Sequence, residues 1–315
     1  MRILCVGLAT VDLVQRVARM PGIDEKVQSE SVDVAAGGPA ANAAVTAAAL
    51  GTDVTLVTAV GRHPLGDLVR ADLAAHGVTL IDAAPDADQP PPVSAVTVLD
   101  ATGERTIVSR NAGTRAVALP ERGLPDADLT LVDGHHPALA VAAARSARRL
   151  LVDAGSWRPV FADVFPHAEV VACSGDFRHP AAAAQGDATA HPRDAAPRPS
   201  DAAPRPSDAA PRPSDAAPRP SDAAIAAAVA APHVVITHGD APVSWFSAGS
   251  SGVVPVPWVT AVDTSGAGDA FHGALAVALT QSDDLQSAIG YAVRVAAIRV
   301  AHAGPRAWLA HLLLP

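Results

Sequence analysis

The sequence predicts an α/β protein in which a mostly parallel sheet carries helices on both faces and a small β-sheet is added to it. Three observations carry this expectation. Apolar runs rich in β-branched residues alternate with Ala-rich stretches of helical length, the pattern of parallel strands joined by helical crossovers. Apolar residues make up 49% of the 315-residue chain and aromatic ones only 3%, so a core of Ala, Val and Leu should pack helices closely on the sheet rather than around aromatic clusters. Finally, two stretches of extended character interrupt the alternation.

In chain order, Arg2 to Val11 reads as the first strand and Ala40 to Leu50 as the first long helix, stopped by Gly51. Asp53 to Val60 is a strand, Gly66 to His76 a helix ended by Gly77, Asp128 to Asp133 a strand and Ala138 to Arg149 a helix. Leu150 to Ala154, Glu169 to Ser174 and His233 to Thr237 are short apolar strands, and Ala270 to Thr280 is a helix following a strand-like run that ends at Val262. Ser94 to Leu99 and Arg105 to Arg110, joined by a turn with Thr102, Gly103 and Glu104, form an antiparallel hairpin. Leu13 to Val34 is also extended, and the two stretches together supply the small sheet. From Asp194 to Ser221 the heptamer D-A-A-P-R-P-S occurs four times in tandem. Two prolines per repeat and no large apolar residue prevent that segment from burying a core, so an insertion of about 180–222 is expected to be a passive, solvated loop.

Composition excludes several function classes. The balance of 23 Lys+Arg against 32 Asp+Glu gives a net charge of −9, which repels nucleic acid and anionic membrane surfaces. Two cysteines, Cys5 and Cys173, fit a reducing, cytoplasmic setting and are too few for a disulfide framework. No apolar stretch reaches 18 residues without a charge, glycine or proline, so no membrane span is expected. Lys26 is the chain's only lysine. A P-loop or a protein-kinase lysine motif is therefore impossible, and phosphate chemistry must be run another way.

The segment Asp263-Thr264-Ser265-Gly266-Ala267-Gly268-Asp269 opens the helical stretch that follows it. Its glycines allow close backbone approach, and the first-turn amides of Ala267, Gly268 and Asp269 point at one spot where the helix dipole favours an anion. Asp269 on the same turn would deprotonate a hydroxyl while the amide hole stabilises a transferring phosphoryl group. The dinucleotide fingerprint is excluded, because Phe271 stands where its third glycine belongs. Gly37-Gly38-Pro39-Ala40-Ala41-Asn42 opens the first long helix, where Asn42 can both donate to and accept from polyol hydroxyls. In isolation Asn42 reads equally well as a solvated residue beside a capping turn, while Asp12 and Asp24, carboxylates able to accept from sugar hydroxyls, read on their own as surface or turn acids first.

Taken together, G-G-P-A-A-N-A-A-V-T-A-A-A-L-G from Gly37 to Gly51 and D-T-S-G-A-G-D-A-F from Asp263 to Phe271 resemble the two signatures of the ribokinase-like (PfkB) carbohydrate kinases. Cys5-Val6-Gly7-Leu8 with Asp12, the hairpin around Gly103 to Val108 and Val132-Asp133-Gly134 are similar to the ketohexokinase branch. The resemblance implies a three-layer α/β/α kinase with a β-sheet lid, from about Leu13 to Val34 and Val93 to Asn111, and a homodimer formed through that lid. It implies ATP and Mg²⁺ as cofactors, Asp269 as catalytic base, and Gly266, Ala267 and Gly268 as the anion hole. Asp12, Asp24, Gly38 and Asn42 would hold a small sugar, with a ketose suggested by the ketohexokinase-like features. Thr237 and Gly239 look like the nucleotide-site T-x-G loop, joined there by Thr264. Asp263 and Thr264, with Ala301 to Gly304, resemble a loop pair that binds K⁺ in many members. Asp176 and Asp263 are the implied metal ligands. The sequence departs from the family at Pro39, at Gly61-Arg62-His63, at Pro242 and at Cys173-Ser174-Gly175-Asp176, where N-x-x-E is expected. A nucleoside kinase and a non-catalytic sugar or nucleotide sensor are the alternatives.

Overall fold

The computed structural model describes residues 1–113, 117–185 and 220–312. The first strand leaves the sheet sooner than its apolar run suggests. β1 (Arg2–Val6) stops at Gly7, and β2 (Thr10–Val17) belongs to a different sheet. The break has a distant cause: the Asp133 carboxylate fills the space beside Gly7, where a Cβ would lie 2.2 Å from Asp133 Oδ1, and it accepts the Leu8 amide at 2.8 Å.

The chain continues through β3 (Ser31–Gly37), α1 (Pro39–Ala49), β4 (Asp53–Thr58), α2 (Pro64–Ala75), β5 (Val78–Asp82), β6 (Val93–Leu99), β7 (Arg105–Ser109), β8 (Leu129–Val132) and α3 (Pro137–Ser146). It then forms β9 (Leu150–Ala154), α4 (Phe161–Val164), β10 (Val170–Ser174), α5 (Pro180–Gln185), α6 (Asp222–Val229), β11 (His233–His238), β12 (Ala241–Ser247), β13 (Ser250–Val254), α7 (Ala267–Gln281) and α8 (Leu285–Val300). Nine strands make the large sheet in the order β13-β12-β11-β10-β9-β8-β1-β4-β5, parallel except for the edge hairpin β12–β13. The small sheet has the order β3-β2-β6-β7.

Pleating splits the large sheet's side chains between two cores. Ile3 and Cys5 face α1, α7 and α8, whereas Leu4 and Val6 face α3, α4 and α6. This is the expected ribokinase-like α/β/α arrangement. The second core does contain an aromatic cluster, contrary to the expectation from composition: Trp157 packs edge-on against Phe161, Phe165 and Phe177 at 6.1 to 6.3 Å.

Residues 255–262 form no strand, and Val262 is instead tied to the end of α8 by its amide, 2.7 Å from Val300 O. Pro180–Gln185 is helical with Ala182 buried, so regular structure continues beyond the point where the insertion was expected to begin. Apart from Pro220 and Ser221, the four heptamers lie outside the described residues. Ser221 caps α6 by accepting the Ala224 amide at 3.2 Å. Among the described residues no helix is long and apolar enough to cross a membrane.

Candidate active site

The chain builds β1, β4 and β5 on one side of the sheet and then crosses to β8 on the other side of β1, which makes β1 the switch point of the strand order. Crevices beyond the carboxyl ends of such strands are where α/β sheets bind ligands. A cleft of about 400 Å³ lies there. The small sheet covers it with Val14, Val96 and Ile107, while Asn42, Asp153 and Asp269 come from the large body.

At the start of α7, Gly266 has φ 66°, a left-handed conformation that favours glycine. The turn leaves the Gly268 and Asp269 amides without hydrogen-bond partners among the described residues, while the Ala267 amide lies 3.4 Å from Thr264 O. Asp269 sits beside these donors. Burial lifts its carboxyl above the ordinary Asp range, opposed by a 2.8 Å hydrogen bond from Asn42 Nδ2.

Asn42 is held from its other end. Arg306 Nη1 donates to Asn42 Oδ1 at 3.2 Å, while its Nη2 donates to Asp72 Oδ2 at 2.8 Å and to Ala36 O at 2.6 Å. Because a guanidinium only donates and a carboxylate only accepts, the Asn42 amide has one orientation that serves both neighbours. Asp12 faces the same space and accepts from Thr10 Oγ1 at 2.5 Å. Gly37 must lack a side chain, since a Cβ would lie 2.0 Å from Asp12 Oδ2. Gly38, at φ 93°, approaches Leu8 O so closely that a Cβ would lie 2.6 Å away. Burial also raises the Asp12 carboxyl.

Two buried groups fix the floor of the cleft. Asp133 accepts the Leu8 and Ala40 amides on Oδ2 and the His135 amide on Oδ1, so it caps the α1 N-terminus from a different strand where Gly38 has no side chain to do so. Asp153, at the end of β9, has its Oδ2 3.3 Å from His272 Nδ1, outside hydrogen-bonding geometry. Burial pushes the Asp153 carboxyl well up, reinforced by Asp269 and Asp133, and brings His272 down to about 4.

The cleft therefore gathers Asp12, Gly38, Asn42, Thr237, Asp263, Gly266, Gly268 and Asp269 from the expected set. Others lie elsewhere. Asp24 is exposed in the β2–β3 connection at φ 57°, and Gly239 follows β11 outside the cleft lining. Asp176 is exposed beyond β10, outside that lining. Thr264 docks the small sheet: its Oγ1 accepts from Arg105 Nη1 at 2.7 Å and donates to Gly103 O at 3.1 Å. Asp263, expected as a metal ligand, has its carboxylate engaged within the protein: Oδ1 accepts the Ser265 amide and Oδ2 accepts Arg299 Nη2 and the Gly304 amide, each at 2.9 to 3.2 Å. The motif reading leaves out Asp153, Arg306, Arg105 and Arg299. For Asp153 a signal existed, since a carboxylate at the carboxyl end of a parallel strand faces the binding crevice.

The profile described as "pfkB family carbohydrate kinase" matches residues 1–174 and 215–311 of the chain. The chain belongs to this family. As a pfkB-family kinase it is a phosphotransferase acting on hydroxyls of the sugar or nucleoside class. Ribokinase of Bacillus subtilis is 28% identical over 307 residues, covering 96% of this chain and 94% of that protein. The ATP-dependent ribose-1-phosphate kinase of Halopiger xanaduensis is 30% identical over 154 residues, 46% of this chain and 50% of the relative. Thermotoga maritima ribokinase superposes with a TM-score of 0.71 at 22% identity, covering 97% of this chain and 95% of the other. A Methanocaldococcus jannaschii nucleoside kinase gives 0.68 at 15% identity, covering 97% and 93%. These two structures share the fold of this pfkB-family chain.

Proposed function

We propose that the protein transfers the γ-phosphoryl group of ATP to a hydroxyl of a small sugar, with Asp269 as the base. The observation that carries this reading is the continuous link Arg306–Asn42–Asp269, which joins the loop suited to polyols to the carboxylate beside two open amides. The acceptor hydroxyl would lie between Asp12, Asn42 and Asp269 and give its proton to Asp269 as the phosphorus–oxygen bond forms. The Gly268 and Asp269 amides would face the phosphoryl oxygens, and ADP would leave. Thr237 would line the nucleotide half. No cluster of three or more His, Cys, Asp or Glu among the described residues could hold a metal ion. For a magnesium ion held chiefly by nucleotide phosphates and water, Asp153, the cleft carboxylate without a hydrogen bond among the described residues, is a candidate protein ligand. Magnesium would neutralise charge on the transferring group.

The test is a turnover screen of pentoses, ketoses and nucleosides with MgATP. Phosphorylation of a small sugar supports the reading and identifies the acceptor, ribose being the first to try given the Bacillus relative. Turnover confined to nucleosides, or binding without transfer, overturns it.

For the acceptor side, Asp12→Ala is expected to lower kcat/KM for the sugar by about 5- to 150-fold, the equivalent of about 1–3 kcal/mol for hydrogen bonds lost to a buried polyol. ATP affinity, measured by calorimetry, should stay unchanged; equal weakening of both ligands would place Asp12 outside the acceptor site. Asn42→Ala carries a second signature. The lost hydrogen bond had favoured charged Asp269, so the acid limb of the pH–rate profile should move to higher pH. An unmoved limb would mean that Asn42 does not set the base.

The outer face of the small sheet supports a homodimer. Val34, Leu13, Ala95 and Val108 stand in one cross-strand row on the side opposite Val14, Val96 and Ile107. Val34 is 49% and Val108 73% exposed, so the row offers an apolar strip to a second copy. Light scattering is expected to give a dimeric mass for the wild type and a monomeric one for Val108→Glu. A monomeric wild type would defeat this arrangement.

A further inference from the structure

The resemblance places a potassium ion between Asp263–Thr264 and Ala301–Gly304, and those segments do meet: the Val262 and Asp263 amides lie 2.7 and 3.1 Å from Val300 O, and the Gly304 amide donates to Asp263 Oδ2 at 3.2 Å. The oxygens of that junction are already engaged by a side chain. Arg299, only 4% exposed, aims its guanidinium between the two segments. Nη1 donates to His302 O at 3.0 Å and to Asp263 O at 3.4 Å, and Nη2 donates to Asp263 Oδ2 at 3.2 Å. A potassium ion between the segments would compete with the guanidinium for those two carbonyls and that carboxylate. It would also sit against a buried positive charge that is itself paired with the Asp263 carboxylate. The potassium ion therefore does not fit this chain.

The guanidinium also reaches the phosphate-binding turn. A Cβ on Gly266 would lie 3.9 Å from Arg299 Nε, so the charge stands directly behind the residue that opens α7. We propose that Arg299 is a covalently attached replacement for a monovalent cation, a positioning residue that holds the Asp263–Gly268 turn and adds positive potential behind the anion hole, so that the protein works without potassium. Unlike a bound ion, a side chain cannot dissociate, and the turn keeps its shape in any buffer. The inference rests on the kinase reading only for its kinetic arm.

The experiment compares potassium chloride with tetramethylammonium chloride at equal ionic strength. For the wild type, melting temperature, ADP affinity and kcat/KM are expected to agree in the two salts to within about twofold in each constant. A saturable, potassium-specific rise in melting temperature or ADP affinity would reveal an ion site and overturn the proposal. Arg299→Ala is expected to bind ADP about tenfold more weakly in tetramethylammonium and to recover part of that loss on adding potassium or guanidinium ion. Wild-type affinity in that variant would overturn it. If Arg299→Ala does not fold, Arg299→Lys, which keeps a cation in place, is expected to remain insensitive to potassium, and a potassium response there counts against the proposal. The two readings fail separately: a wild type that turns over no sugar yet binds ADP equally in both salts sinks only the sugar-kinase reading. An active enzyme that needs potassium sinks only the role of Arg299.

Discussion

Asp269→Asn is expected to leave the fold and ligand binding in place and to lower kcat by about 10²–10⁴, the usual effect of removing a general base. The substitution is nearly isosteric. An Asn at this position can still accept the Asn42 Nδ2 hydrogen bond through its carbonyl oxygen, and the Gly268 and Asp269 amides belong to the backbone. What disappears is an atom able to take a proton from the acceptor. Removing a negative charge beside an anion hole also relieves repulsion toward the nucleotide phosphates, so ATP affinity should hold or tighten slightly. In the wild type, burial raises the Asp269 carboxyl, so activity should fall with decreasing pH at a value above the ordinary Asp range of about 4. That acid limb should be missing from the residual rate of the variant. Turnover with the acceptor found by screening, read beside ATP affinity and melting temperature, checks all of this. A variant that keeps wild-type kcat would show that another group takes the proton.

The two glycine-rich motifs were legible because their meaning is local: a glycine at positive φ, a helix that begins at once, and a polar side chain near its start, the Asn42 amide in one and the Asp269 carboxylate in the other, need no knowledge of the rest of the chain. The alternation of strands and helices is likewise a local property. What stayed hidden depends on contacts between distant segments. No periodicity shows that β1 must end at Gly7, because the carboxylate that demands a glycine there sits more than a hundred residues later. The orientation of Asn42 is set by Arg306, 264 residues away, and the guanidinium that fills the Asp263 junction comes from α8, whose apolar face packs into the core. The edge hairpin β12–β13 was obscured for a different reason. Its short strands carry Ser, Gly and Pro, which read as loop until pairing supplies their hydrogen bonds. The departures at the N-x-x-E position have a structural counterpart as well, since Asp176 is exposed and does not line the cleft that the retained motifs share, although Ser174 of the same segment does.

Asp133→Ala is expected to cost about 3–5 kcal/mol of stability, the range for removing one partner of a buried charged network, and to do so only where the carboxylate is ionised. Three backbone amides, those of Leu8, Ala40 and His135, lose their acceptor at once; Leu8 lies where the chain passes from β1 of the large sheet to β2 of the small one, and Ala40 in the first turn of α1. Burial by itself would raise this carboxyl, but His135 beside it and the amides of His135 and Leu8 together outweigh burial and hold it below the ordinary range. A carboxyl whose pKa is lower folded than unfolded stabilises the protein above its unfolded value of about 3.9 and loses that contribution as pH falls toward the folded one. The gap in unfolding free energy between wild type and Asp133→Ala should therefore be widest near neutral pH and narrow steadily in acid. Asp133→Asn tests the sign of the interaction separately from its volume. One of its two side-chain positions becomes an NH₂ facing backbone N–H groups, so it should recover only part of the loss. Chemical denaturation of the three proteins across the acid range decides the matter. A gap that is independent of pH, or smaller than about 1 kcal/mol at neutrality, would mean that the Asp133 carboxylate is not what ties the acceptor loop to the sheet.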